Sequence, residues 1–169
     1  MKNIKRIVLG LAAMTMLASC AKEITKAEAV EIAKGYDTAN VIYKSGHGKS
    51  VTEVSFSANV PDALKEQYKG GTQEVDFKDE TTVVGQRLTA AHVEAAPETA
   101  KFKADGKKLE ITYTMEESAM GGNMKMTATA YVDENGYPTS AITEQVINIV
   151  AQETYTITAK QTITYTWEK

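Results

Sequence analysis

The sequence predicts an α+β fold: a curved antiparallel β-sheet of about seven to nine strands packed with an N-terminal helix and one or two short helices. Three observations predict it. A capped segment at residue 25 carries apolar side chains at helical spacing. From Asn40 onward the apolar period changes to two. Clusters of Gly, Asn and Asp recur between the alternating segments, where hairpins need their turns.

In Thr25-Lys26-Ala27-Glu28 the Thr25 hydroxyl can accept from the Glu28 amide while the Glu28 carboxylate reaches back, a capping box that starts a helix, with Ile24 stapling the entry. Ala29, Ile32, Ala33 and Tyr36 then form an apolar stripe, and Gly35 is placed to end the helix in a left-handed conformation. Val54, Phe56, Ala58 and Val60 alternate with polar residues as a strand, joined to Val41-Ile42-Tyr43 by a turn over 45–50. Pro61 to Lys69 reads as a short helix with proline in its first turn. Val75 and Phe77, then Val83 and Val84, mark two further strands, and Thr89 to Thr99 fits helix or loop up to Pro97.

The second half is more regular. Lys101 to Lys103 turns at Asp105-Gly106 into Leu109, Ile111, Tyr113 and Met115. Beyond Gly121-Gly122, Met124, Met126, Ala128 and Ala130 alternate up to the Asp133-Glu134-Asn135-Gly136 turn, and residues 137–150 continue the meander. Tyr155, Ile157 and Ala159, then Ile163, Tyr165 and Trp167, alternate with threonines, which are β-branched and polar at once and so suit a sheet with one face in water. The inner face of such a curled sheet needs helices as its lid, and the space between is either filled by side chains or open to a ligand.

At the other end of the chain, Lys2, Lys5 and Arg6 precede an apolar run over 7–16 that is too short to span a bilayer well, followed by Leu17-Ala18-Ser19-Cys20. These residues resemble bacterial lipoprotein signals at all four lipobox positions. The resemblance implies a diacylglyceryl thioether on Cys20, cleavage before it, and acylation of the new amino group, typically by palmitate. One acyl chain holds a protein weakly, whereas two or three make a durable anchor. The expected organisation is a signal peptide over 1–19, a lipidated terminus and short tether over 20–24, and one domain over 25–169. The expected location is a bacterial cell membrane, with the domain on the extracytoplasmic side, at the cell surface or in the periplasm.

Cys20 is the only cysteine, so its lipidation leaves no thiol for a disulfide, a metal site or a nucleophile. Of 19 Lys plus Arg, three precede residue 20, leaving 16 against 22 Asp plus Glu and a net charge near −6 for the remainder. Arg87 is its sole arginine. This acidic surface with scattered lysines offers no basic stripe for nucleic acid.

No motif carries a catalytic assignment. Gly46-His47-Gly48-Lys49-Ser50 ends like a phosphate loop, but the leading glycine position is Tyr43. The Asp133–Gly136 turn contains part of a calcium loop, yet its upstream ligand position is Tyr131 and its closing position is Ile142. His47 and His92 have no ligand-spaced partner, and Glu116-Glu117 would point to opposite faces of a strand. The chain is read as non-enzymatic, with no metal or cofactor expected. The one unusual cluster is Met115, Met120, Met124 and Met126. Thioethers are soft Cu(I) ligands, adaptable walls for an apolar pocket, or plain core filling. The candidate site is the apolar pocket.

A capped N-terminal helix, a curved antiparallel meander and the Tyr-x-x-x-Asn-Gly-Tyr-Pro turn from Tyr131 to Pro138, behind a lipobox, resemble the LolA and LppX type of lipoprotein carrier. That family folds as an open half-barrel closed by helices and binds acyl chains in between. The chain departs from LolA, which is soluble and carries a lid arginine that has no counterpart here. Two functions remain open: a tethered binder of lipid or another apolar ligand in a half-barrel cavity, or a fully packed structural module that contacts another envelope protein.

Overall fold

The computed structural model describes residues 21–40, 42–119, 121–150 and 153–169. Leu17, Ala18, Ser19, Cys20 and Met120 lie outside the described residues. Eight strands, β1 (Lys22–Ile24), β2 (Ser45–Phe56), β3 (Gly71–Phe77), β4 (Lys101–Asp105), β5 (Lys108–Ala119), β6 (Gly122–Val132), β7 (Pro138–Val150) and β8 (Thr154–Glu168), accompany four helices, α1 (Lys26–Asp37), α2 (Asp62–Gln67), α3 (Glu80–Val84) and α4 (Ala90–Glu94). The strands form one open, curled antiparallel sheet in the order β1-β4-β5-β6-β7-β8-β2-β3. The α+β architecture is therefore the one the sequence predicts.

Strands β4 to β8 pair with their chain neighbours, as hairpins do, with left-handed glycines at the turns: Gly106, Gly121 and Gly136. The C-terminal strand β8 then accepts β2 along its free edge, over twelve residue pairs from Ser45↔Glu168 to Phe56↔Ile157. This pairing corrects the expected turn over 45–50, which is strand throughout. Locally a Gly-x-Gly segment looks like a turn. Here Trp167 lies over Gly46, where a Cβ would overlap its ring, and ladders on both sides supply the backbone hydrogen bonds.

Helix α1 starts as expected: the Glu28 amide donates to Thr25 Oγ1 at 3.3 Å, and the Thr25 amide to Glu28 Oε2 at 2.7 Å. It does not stop at Gly35. The helix runs to Asp37 and closes at Thr38 in a right-handed conformation, with the Thr38 hydroxyl donating to the Gly35 carbonyl at 3.2 Å. Continuing for two more residues seats Tyr36 in the core, where its hydroxyl donates to the Lys107 carbonyl. Val83 and Val84 form no strand either. Asp79 caps α3 by accepting from the Thr82 amide at 2.8 Å, and the single turn buries Val83 while leaving Val84 exposed. The ambiguous stretch after Thr89 is α4, capped by Thr89 and His92 on each other's backbone amides.

Two core clusters result. Ala29, Ala33 and Tyr36 of α1 pack with Ala90 and Val93 of α4 against Phe102, Leu109, Ile111 and Val132. Tyr43, Phe77, Val83 and Tyr137 form the second, flanked by Tyr165 and Trp167.

The caps also set an acid limit. Hydrogen bonds from the Thr25 amide, then its hydroxyl, hold the Glu28 carboxyl below its ordinary 4.5, and the Thr82 hydroxyl, then its amide, hold Asp79 below its ordinary 3.8. A depressed carboxyl contributes stability that is present above the ordinary value and is lost as pH falls through the folded one. Thermal melts should therefore show stability falling from pH 4.5 downward, and Glu28→Gln with Asp79→Asn, which keep both caps, should flatten that fall. An unchanged acid slope in the double variant would remove these caps as its cause.

Candidate functional site: the uncovered half of the inner face

Register assigns every strand residue to a face. The outer face carries Thr112 and Thr114 opposite Thr129 and Thr127, hydroxyls paired at 2.9 and 3.3 Å, and the threonines of β8. It also carries the ion pairs Lys103–Glu110, Lys125–Glu116 and Lys160–Glu144 at 2.9–3.2 Å. These pairs are solvent-exposed or nearly so and contribute little each.

The inner face carries both cores, and both sit at the same end of the sheet, beside the β4–β5 turn and the Asp133–Gly136 turn. Toward the other end the cross-strand rows are Tyr113-Ala128-Thr143-Gln161, then Met115-Met126-Gln145-Ala159, then Glu117-Met124-Ile147-Ile157. Of these twelve, only Ile157 is buried. The sheet thus has a covered end and an open end.

Met115, Met124 and Met126 share this open inner face, with Met115 directly opposite Met126. None of them belongs to either core, and Met115 is 38% exposed. Plain core filling is therefore not what they do. The Gln145 amide donates to Met124 Sδ at 3.2 Å. Glu116 and Glu117 point to opposite faces, Glu116 to Lys125 and Glu117 to the Met124 side.

Two open clefts of about 230 and 220 Å³ lie on the β8–β2–β3 flank. The first, on the outer face, brings together Ser45, His47, Asp76 and Glu168. His47 Nδ1 lies 2.8 Å from Asp76 Oδ1, and this contact, then Lys78, holds the Asp76 carboxyl below its usual range. Ser45 donates to Glu168 at 2.7 Å and His47 is engaged with Asp76, so these two form no nucleophile–base pair. The second cleft, on the inner face, is floored by Gly48 between Phe77 and Tyr165. Neither cleft was readable from the sequence, because each is assembled by β2 pairing with strands near and far along the chain.

The turn and Arg87 are structural. Asp133 Oδ1 accepts from the amides of Asn135 and Tyr137 at 2.9 Å, and Oδ2 from the Tyr43 hydroxyl at 3.0 Å, which commits this carboxylate to the turn. Arg87 donates to the carbonyls of Asn135 and Ala39, each at 3.1 Å, with its guanidinium 5.8 Å from the Tyr137 ring centre. Among the described residues no group of three or more His, Cys, Asp or Glu is placed to hold a metal ion, and no helix is long and apolar enough to cross a membrane. No protein-family model, no curated protein and no solved structure matches this chain.

Proposed function

We propose that this protein is a non-enzymatic lipoprotein, held on the extracytoplasmic side of a bacterial membrane through lipid on Cys20, that binds an acyl chain or similar apolar ligand on the open half of its inner face. One observation carries the reading. Met115, Met124, Met126, Tyr113, Ile147 and Ile149 lie on one face of long strands outside both cores, half-buried or exposed. Apolar side chains left facing water on an ordered sheet mark a binding surface, and methionine adapts to ligands of varied shape. An open, curled sheet with helices packed on its inner face also supports the likeness to LolA and LppX carriers, with α1, α3 and α4 gathered at one end.

The tether gives the surface a direction. Lys22 pairs with Ala104 beside the Asp105–Gly106 turn, so the chain enters the sheet at its covered end. A lipid on Cys20 holds that end to the membrane, and β8, 15 residues long, spans roughly 50 Å toward the other. The open half therefore faces away from the anchoring bilayer and meets what comes from the far side. The exposure of Met115 on an open sheet face favours a second reading, in which an apolar segment of another envelope protein docks there.

Mass spectrometry of the organic extract from residues 21–169, made without detergent in cells with ordinary phospholipids, separates the two. A stoichiometric lipid is expected, lost in Met126→Lys with the melting temperature within a few degrees of wild type, because this side chain is not enclosed. A clean extract from a well-folded monomer would transfer the assignment to protein docking.

A further inference from the structure

The cleft over Gly48 is separate from the methionine surface and has different chemistry. It lies across β8, β2 and β3 on the inner face, with a volume of about 220 Å³. At Gly46, two residues earlier on the same face, the Trp167 ring fills the place of a side chain. At Gly48 the neighbouring side chains close in as well: a Cβ would stand 3.0 Å from Val75 Cγ1, 3.4 Å from Tyr165 Cε1 and 3.5 Å from Phe77 Cε2, so these carbons form the floor of the cleft and a ligand lies above them. Tyr165 is backed by Trp167, their rings 4° from parallel with centres 5.9 Å apart, so this wall is stiff.

Around these carbon walls the inner-facing polar groups are neutral. Gln161 donates to the Ser50 hydroxyl at 3.0 Å, which presents its own carbonyl oxygen and the Ser50 proton to a ligand, and Gln73 adds an exposed amide from the edge strand. Glu74 also lines the cleft, from an outer-face register position where its carboxylate lies 3.5 Å from Lys49. An acyl chain would leave these amides unpaired, and an anion would find no cation among the residues lining the cleft. Aromatic and aliphatic walls with an uncharged amide and hydroxyl rim fit a ring that has C–H faces and hydroxyl edges. Because β3 is the last strand of the sheet, the cleft opens sideways and a longer chain can continue past it.

We propose that the Gly48 cleft binds one pyranose unit of a neutral glycan, stacked on Tyr165 and hydrogen-bonded by Gln73 and Gln161. The test is affinity electrophoresis of residues 21–169, which contain every described element, through gels holding soluble β-glucan, xylan, galactomannan, α-mannan or starch, with anionic alginate as comparison. At least one neutral polysaccharide is expected to retard the protein while alginate does not. Gln73→Ala with Gln161→Ala, two side chains outside both cores, should weaken that retardation at least fivefold. Tyr165→Ala should abolish it, and Met126→Lys should leave it unchanged. Titrating the same glycan should also shift the emission of Trp167, the single tryptophan. Mobility unaffected by all five neutral glycans, or retardation undiminished in the folded double glutamine variant, overturns the proposal.

Discussion

Fusing residues 21–169 to a cleavable secretory signal that lacks the cysteine is expected to move the protein wholly from the membrane to the aqueous phase of a detergent partition, and Cys20→Ala in the full chain is expected to abolish palmitate labelling. The physical reason is the anchor's arithmetic. A buried acyl methylene contributes about 0.8 kcal/mol, so one chain binds marginally and two or three hold the protein in place. Among the described residues no helix is long and apolar enough to cross a membrane. The acidic balance beyond residue 19 also disfavours anionic headgroups. Label that persists in Cys20→Ala would place the lipid elsewhere, and membrane retention of residues 21–169 would assign attachment to the folded domain itself.

Gly136→Ala is expected to cost about 2–4 kcal/mol in urea unfolding. Two causes add. Gly136 has φ +85°, a region that alanine adopts only with strain, and its Cβ would stand 2.8–2.9 Å from Cβ, Cγ and Cδ2 of Tyr36. Tyr36 has nowhere to retreat: it is 1% exposed and its hydroxyl is tied to Lys107. The turn is held as well, because the Leu88 amide donates to the Gly136 carbonyl at 2.8 Å. Gly106→Ala isolates the backbone term, since φ there is +60° and a Cβ would meet open space. That variant should lose only about 1 kcal/mol. Equal losses for the two would mean that α1 does not press on this turn in solution.

Burial of Tyr36 and Tyr43 raises the pKa of both phenols, burial being the first cause in each and nearby Asp133 adding to it. The same packing that penalises a methyl group at Gly136 thus keeps these hydroxyls protonated. It is also what the sequence left undecided, because the contact joins α1 to a turn a hundred residues later.

What was legible in the sequence rests on interactions that close within a few residues. Thr25 and Glu28 are one helical turn apart, so their capping box is written locally, and Asp105-Gly106, Gly121 and Gly136 had to be turns because their neighbours alternate and glycine alone takes positive φ cheaply. The alternation of β5 to β8, with threonine outward, likewise follows from the period of a pleated strand, and it placed Met115, Met124 and Met126 together on the inner face. The remaining features were decided by partners far away in the chain. Gly46 to Ser50 became strand because Trp167, Tyr165 and Ile163 lie opposite, more than a hundred residues on, and a short glycine segment has no local signal strong enough to predict that. Val83 was claimed by the aromatic core rather than by a strand, and α1 outran Gly35 because Tyr36 gains burial that a left-handed stop would forfeit. Which half of the inner face is covered was settled in the same way: composition makes both halves apolar enough to bury, and only the packing of α1 and α4 at one end leaves the methionines at the other facing water.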